Sequence, residues 1–450
     1  MDKREVYYFI GIGGIGMSSI AQYLNANKHK VGGYDLIKSK ITKKLEKSGI
    51  QVNYTNDIKS IPSLYKKEST IIIFTPAITS KNKQLLFFKK QGNQIFKRAE
   101  VLSYLTKKFI TIAIAGTHGK TTTAAIVTHL FYKTQQPFTA FVGGILNEFN
   151  SNVIINGDKY AIVEADEYDR SFLNLKPNIG LITSIDSDHL DIYGNFSEVK
   201  KSFSEFIKKI SNKVIVCKDL DINGITYSLN KKSDYKAFNI KFSKTGYFFD
   251  LSTPSNTFKS VFFSQLGIHN LLNAVGAFAI SSQVGINENE LCEGLSTFKG
   301  VKRRFQLISN TKKSIIIDDY AHHPNEIIAV WSALKNHFPN DKKCVIFQPH
   351  LYSRTKDFMD EFARALSKFD RVILLPIYPA REAPIAGIKS SILQSKIKSK
   401  NKVELVMRDD LLNILKKIPE KVKVILGAGD IGSQIDKIKE KLKKYEIQTN

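Results

Sequence analysis

"IAIAGTHGKTTTAAIV", residues 112–127, decides the fold class. An apolar run ends at Gly116, and Gly119-Lys120-Thr121 opens a segment of helical period. A buried strand that turns through glycine into a helix is half of a βαβ unit, which points to an α/β fold with a parallel sheet. The same turn can cradle phosphate, because backbone N–H groups and the helix N-terminus present positive ends to an anion. Lys120 is placed to reach β- and γ-phosphates, and the Thr121 hydroxyl can ligate Mg2+. The match to the general P-loop pattern is imperfect. That pattern wants glycine at Ile114 or Ala115, depending on the count, and this chain has it at Gly116. The preceding strand and the Thr-rich helix support ATP or GTP binding; a plain helix cap with an exposed lysine is the bland alternative.

Working outward, apolar runs alternate with helix-like segments. "VYYFIGI", "STIIIFTPA", "KYAIVEAD", "IGLITSI" and "NKVIVCKD" read as buried strands, and "MSSIAQYLNANKH" and "KITKKLEKSG" as helices between them. Residues 225–265 alternate apolar and polar positions and predict a small antiparallel meander. "IHNLLNAVGAFAISSQVG" then predicts a helix. Strand–helix alternation resumes with "SIIIDDYA", "KKCVIFQPH", "RVILLPIY", "VELVM" and "VKVILGAG". Boundaries near 106 and 307 divide the chain into 1–105, 106–307 and 308–450. The lysine-rich tail after Gly432 reads as a solvated helix.

The chain has 450 residues, too many for one core, with ordinary hydrophobic (42%) and charged (24%) fractions. Cys217, Cys292 and Cys344 have neither metal nor disulfide spacing, which suits a reducing cytoplasm. No signal peptide or membrane span is expected. The formal charge of +25 is spread along the chain without an arginine–aromatic stripe. It therefore argues against nucleic-acid binding and at most favours anionic substrates.

Two further glycine loops share one spacing. Gly11, Gly13 and Gly16 fit G-x-G-x-x-G, with Asp35 about twenty residues on, as a dinucleotide site asks. Gly427, Gly429 and Gly432 fit it too, but the remaining chain is too short for the second strand of such a unit, so a tight strand-to-helix turn is expected. Acids and histidines cluster at predicted strand ends, where ligands of parallel sheets sit. Glu164, Asp166, Glu167 and Asp169 follow one strand; Asp186, Asp188, His189 and Asp191 follow the next. Either group can serve Mg2+, and acids at a helix start are the alternative. Asp318, Asp319, Tyr320, His322 and His323 follow a third strand, and His350, Tyr352 and Arg354 a fourth. The arginine suits a substrate carboxylate.

The ordered set "GIGGIGM", "AGTHGKTTT", "EADEYDRSFL", "DSDHLDIYG", "HNLLNA", "GVKRRFQ", "DDYAHHPNE", "FQPHLYSRT" and "GAGDIG" resembles the Mur ligases, ATP-dependent amide-forming enzymes of peptidoglycan synthesis, over nearly the whole chain. The resemblance implies three domains: a Rossmann-like UDP-sugar domain, a central ATPase domain and a C-terminal amino-acid domain. It implies L-alanine joined to the lactyl carboxylate of UDP-N-acetylmuramate, with ATP and Mg2+, by a cytoplasmic monomer or weak homodimer. By resemblance, Gly11, Gly13, Gly14, Ile15, Gly16 and Asp35 bind the UDP-sugar. Gly116, Thr117, His118, Gly119, Lys120, Thr121 and Thr122 wrap the ATP phosphates. Thr121, Glu164 and His189 ligate metal. Asn270 and Asn273 contact adenine, and Arg304 and Asp319 lie near the ribose and phosphates. Tyr320, His322, His350 and Arg354 face the amino acid or product, with Lys120, His322 and Arg354 in catalytic roles.

Two departures stand out. Leu351 takes a place where many alanine-adding relatives have arginine, which leaves more of the carboxylate to Arg354. Phe203 and Ser204 stand where other Mur ligases carry a carbamylated lysine, so none is expected. An NAD-dependent oxidoreductase would use the first loop and leave "GTHGKTTT" idle. A nucleotide switch would leave "DDYAHHPNE" idle. A muropeptide-recycling ligase, adding a preformed peptide to the same sugar, is the near alternative, and "FQPHLYSRT" favours alanine.

Overall fold

The computed structural model describes residues 5–188, 190–243, 245–380, 382–398 and 402–448. Each apolar run identified above becomes a strand, and the strands form three sheets. The first runs Gln51–Asn53, Lys30–Tyr34, Val6–Ile10, Ile71–Phe74, Ile95–Lys97, all pairs parallel. Strand order reverses beside Val6–Ile10, so its carboxyl end opens on the crevice where doubly wound sheets take ligands.

The second sheet has ten strands. Ile110–Ala115 lies inside it, between Ile179–Ile182 and Tyr160–Glu164, parallel to both. The helix that follows, Lys120–Lys133, carries three threonines straight after Lys120, and threonine is a poor helix former. Burial overrides that preference: Thr121 through Phe131 are all buried. Ile126, Val127, Leu130 and Phe131 each contribute roughly 1.5–3 kcal/mol by leaving water.

Residues 225–265 form the four expected strands, Ile225–Leu229, Tyr235–Phe242, Tyr247–Ser252 and Thr257–Phe263. They are not a detached antiparallel meander. They continue the ten-stranded sheet, and Ile225–Leu229 pairs parallel with both Lys213–Cys217 and Tyr235–Phe242. Alternation specifies which face is apolar but not the direction of the neighbour. That face packs on helix Ile268–Ser282: a β-carbon on Gly276 would meet Tyr227 Cζ at 2.8 Å, and Tyr235 Oη lies 2.7 Å from Ser282 Oγ.

The third sheet runs Gln306–Asn310, Ile315–Asp319, Val422–Leu426, Lys343–Phe347, Arg371–Leu374, Val403–Leu405, parallel except at its first pair. Strands Ile315–Asp319 and Lys343–Phe347 deliver the "DDYAHH" and "QPHLYSR" clusters at their carboxyl ends.

By internal contacts the chain divides into two compact units. One holds residues 1–240, 248–264 and 272–299; the other holds 241–247, 265–271 and 300–450. The first two sheets share one unit because helix Ile15–Ala26 packs on the edge of the second sheet: Asn152 Nδ2 donates to Ile15 O at 2.6 Å, and the Tyr23 and Phe141 rings meet at 5.3 Å. No helix among the described residues is long and apolar enough to cross a membrane.

Candidate active site

In the first sheet the glycine loop folds back on the strand beside it. Gly11, at φ +88°, and Ile12 both donate to Tyr34 O, at 2.8 and 3.0 Å. Gly13 N donates to Asp35 Oδ2 at 2.7 Å, and Ile37 N to Asp35 Oδ1 at 3.0 Å. Asp35 therefore holds the loop in shape. Gly14 caps helix Ile15–Ala26 without a side chain, which leaves the N-terminus open to an anion. A β-carbon on Gly16 would come within 3.0 Å of Arg98, so a guanidinium lies against this first turn. Sequence reasoning missed Arg98; its position shows only in the tertiary fold.

The second glycine loop is built at the carboxyl edge of the ten-stranded sheet. Gly116 stands at φ +137° and Gly119 at +83°. A β-carbon on Gly119 would meet Asn273 Oδ1 at 2.5 Å, so Asn273 packs directly on the loop. Thr117 N donates to Ser184 O at 3.0 Å, and His118 N to Ser184 Oγ at 2.9 Å. Asp186 N donates to Thr117 Oγ1 at 2.9 Å. The first half of the expected cradle is thus braced by the neighbouring strand end. Thr183, whose hydroxyl donates to His118 O, and Ser184 complete this brace and were not among the expected site residues; two hydroxyls straight after an apolar strand were the available signal. Thr122 is buried on the helix behind the loop.

Lys120 Nζ donates to Gly116 O at 2.7 Å and to Glu167 Oε1 at 2.8 Å, with Glu167 Oε2 at 2.6 Å. Burial would lower the Lys120 pKa, but Glu167, Asp166 and Glu164 together raise it, so the ammonium stays charged. Burial pushes Glu167 up to about 7, against the pull of Lys120. The acid cluster thus divides its work. Glu167 holds the loop lysine. Glu164 faces the threonine: Thr121 Oγ1 donates to Glu164 Oε1 at 2.8 Å, and Gly143 N to Oε2 at 2.7 Å. A carboxylate and a hydroxyl side by side at the phosphate end of a helix are hard oxygen donors of the kind Mg2+ takes. No group of three or more His, Cys, Asp or Glu side chains is arranged for a metal among the described residues. His189, the expected second metal ligand, lies outside the described residues.

The third sheet gathers the remaining residues. Asp319 is buried, and both its oxygens accept backbone N–H groups: Phe305 N at 2.6 Å and Ala321 N at 2.7 Å. Burial pushes its pKa up to about 6, with Arg304 opposing. Asp319 thus shapes the chain around Arg304. The Arg304 guanidinium sits 5.0 Å from the Tyr320 ring centre. Asn270 is buried and donates to Leu266 O at 2.7 Å.

His322 Nδ1 lies 2.9 Å from Tyr320 O. A carbonyl only accepts, so Nδ1 carries a hydrogen, with Glu326 Oε2 3.4 Å from the same nitrogen; in the neutral ring the lone pair is then on Nε2. The His322 ring is 5.3 Å from Tyr320 and 5.8 Å from His350, and His350 stacks on Tyr378. Buried Arg354 places Nη1 3.4 Å from His350 Nδ1. The structure thus brings Tyr320, His322, His350 and Arg354 together, and adds Tyr378. Leu351 stands at φ +73°, strained for a leucine, and caps helix Tyr352–Asp357.

A phosphate loop with its lysine, threonine and facing carboxylate defines an ATP-using class of enzyme. Family models match nearly the whole chain: "Mur ligase family, catalytic domain" over 6–110, "Mur ligase middle domain" over 114–281 and "Mur ligase, glutamate ligase domain" over 303–431. The chain belongs to the Mur ligase family. UDP-N-acetylmuramate–L-alanine ligase of Christiangramia forsetii is 48% identical, covering 97% of each chain. Its counterpart in Flavobacterium psychrophilum is 46% identical over 98% of this chain and 99% of that protein. The crystal structure of UDP-N-acetylmuramate–alanine ligase from Thermotoga maritima superposes with a TM-score of 0.83 at 26% identity, covering 98% of this chain and 99% of that one.

Proposed function

We propose that this chain joins L-alanine to the lactyl carboxylate of UDP-N-acetylmuramate, cleaving ATP to ADP and phosphate through an acyl phosphate. The reading assigns the UDP-sugar to 1–105, ATP to 106–307 and the amino acid to 308–450. The observation that carries it is the meeting of Lys120, Thr121 and Glu164 at one sheet edge, in a chain 48% identical to an L-alanine ligase.

The lactyl carboxylate is a poor electrophile until an oxygen takes the γ-phosphoryl group and ADP leaves. Lys120, released from Glu167, stabilises the charge that gathers on the phosphate oxygens. Thr121 and Glu164 would hold Mg2+, which neutralises phosphate charge when bound. The alanine carboxylate pairs with Arg354 beside His350, and this fixes the direction from which the amine approaches. The amine attacks the acyl carbon, and the tetrahedral intermediate expels phosphate. His322 Nε2 accepts the proton that the amine gives up. The first glycine loop takes the UDP diphosphate, with Arg98 beside its helix. The relatives' names favour alanine addition over the peptide-recycling reaction.

A Lys120→Ala variant tests the assignment. ATP-dependent turnover is lost while UDP-N-acetylmuramate still binds, measured by calorimetry. Full ligase activity in that variant would end the reading.

A further inference from the structure

The third glycine loop, GAGDIG, has no part in the reaction above, yet its glycines make room for something. Gly427, at φ +143°, accepts at its carbonyl from Arg303 Nη2. A β-carbon on Gly432 would overlap Nη1 of the same guanidinium. Arg303 Nε lies 3.6 Å from Oδ2 of Asp318. That carboxylate is wholly buried and makes no hydrogen bond among the described residues. The guanidinium also rests 5.1 Å from the Tyr320 ring centre. The start of helix Gly432–Gln448 repels a cation, so the helix dipole does not explain why an arginine sits there. The fork does: an ammonium could not reach the Gly427 carbonyl and Asp318 with separate nitrogens.

Arg303 belongs to a turn with three positive φ angles: Gly300 at +77°, Arg303 at +62° and Phe305 at +44°. Non-glycine residues hold such angles only where the surroundings fix them. The fixing contacts are Phe305 N to Asp319 Oδ2 at 2.6 Å, Tyr320 N to Arg303 O at 2.7 Å, and the Arg303 side chain itself. Arg304, between the two strained residues, is the arginine assigned above to ATP.

We propose that the third glycine loop is an internal receptor for the Arg303 guanidinium, and that Arg303 is a positioning residue whose docking there sets Arg304 for the ATP phosphates. The proposal rests on the assignment of ATP to 106–307 under the proposed function, with Arg304 read as one of the residues of that segment that meet the nucleotide phosphates.

The test compares Arg303→Gln, Arg303→Lys, Gly432→Ala, the Arg303→Gln/Gly432→Ala double variant and Arg304→Gln in the full chain. KM for ATP, KM for L-alanine, kcat and the thermal midpoint are measured for each. Arg303→Gln and Gly432→Ala should each lower kcat/KM for ATP by roughly tenfold or more, with KM for L-alanine unchanged. The double variant should be no worse than the singles, because both undo one docking event. Arg303→Lys should not restore activity. The proposal is overturned if Arg303→Gln lowers only the thermal midpoint and leaves ATP kinetics within about twofold while Arg304→Gln is impaired. It is also overturned if the two effects multiply or if lysine rescues. Unchanged ATP kinetics in Arg304→Gln would instead refute the role of Arg304, and the proposal with it. Should Gly432→Ala fail to fold, the two Arg303 variants decide.

Discussion

Replacing Glu167 by glutamine should make the ligand-free protein less stable and its grip on ATP tighter. Glu167 and Lys120 are an ion pair at 2.6 Å, with side chains only 3% and 13% exposed. Removing one member of a buried pair typically costs about 3–5 kcal/mol, because the other charge is left without compensation. Here the loss is smaller: Gly116 O still accepts from Nζ at 2.7 Å and Thr117 O at 3.3 Å, and Asp166 and Glu164 still favour the ammonium. About 2–3 kcal/mol is a fair expectation, in line with hydrogen bonds to charged groups. ATP brings its own negative charge to Lys120, so the penalty falls on the free protein and not on the complex. The same energy then appears as ATP affinity, roughly 30-fold to 150-fold tighter. Denaturant unfolding without nucleotide and calorimetric titration with ATP read the two halves of the cycle. Weaker ATP binding with unchanged stability of the free protein would refute this reasoning and place Glu167 on the nucleotide itself.

Other expectations follow from the same geometry. Gly119→Ala forces a β-carbon onto Asn273 at φ +83°, and should cost about 1–3 kcal/mol in thermal unfolding and weaken ATP binding. Asp35→Ala frees the N–H groups of Gly13 and Ile37; KM for UDP-N-acetylmuramate should rise roughly tenfold while KM for ATP stays put, read by initial rates. His269 is held neutral by burial, its pKa lowered from 6.5 to about 4. A depressed histidine contributes stability that is complete above pH ~6.5 and lost as pH falls toward ~4, about 3 kcal/mol in all. His269→Leu should flatten the pH dependence of unfolding in that window relative to the parent.

What the sequence made legible was local. "IAIAGTHGKTTT" shows its strand, turn and helix because neighbours in sequence build all three, and Thr121, Lys120 and Gly119 fall where that pattern puts them. The acids after "YAIV" and the histidines after "SIIIDD" were found for the same reason, as strand ends. What stayed hidden depends on contacts between distant segments. Nothing in the spacing says that Glu167 rather than Glu164 takes Lys120, since the choice is set by how residues 164–170 bend. The parallel pairing of Ile225–Leu229 depends on its neighbours, not its own alternation. The third glycine loop reads as a tight strand-to-helix turn, but the side chain that meets it, Arg303, lies more than a hundred residues away in the chain.

The most direct measurement is phosphate release from ATP in the presence of UDP-N-acetylmuramate, with L-alanine, serine, glycine or an alanine-first tripeptide as the acceptor. The account predicts release that requires both the UDP-sugar and the acceptor, fastest with L-alanine. Equal or faster release with the tripeptide, or release indifferent to the UDP-sugar, would contradict it.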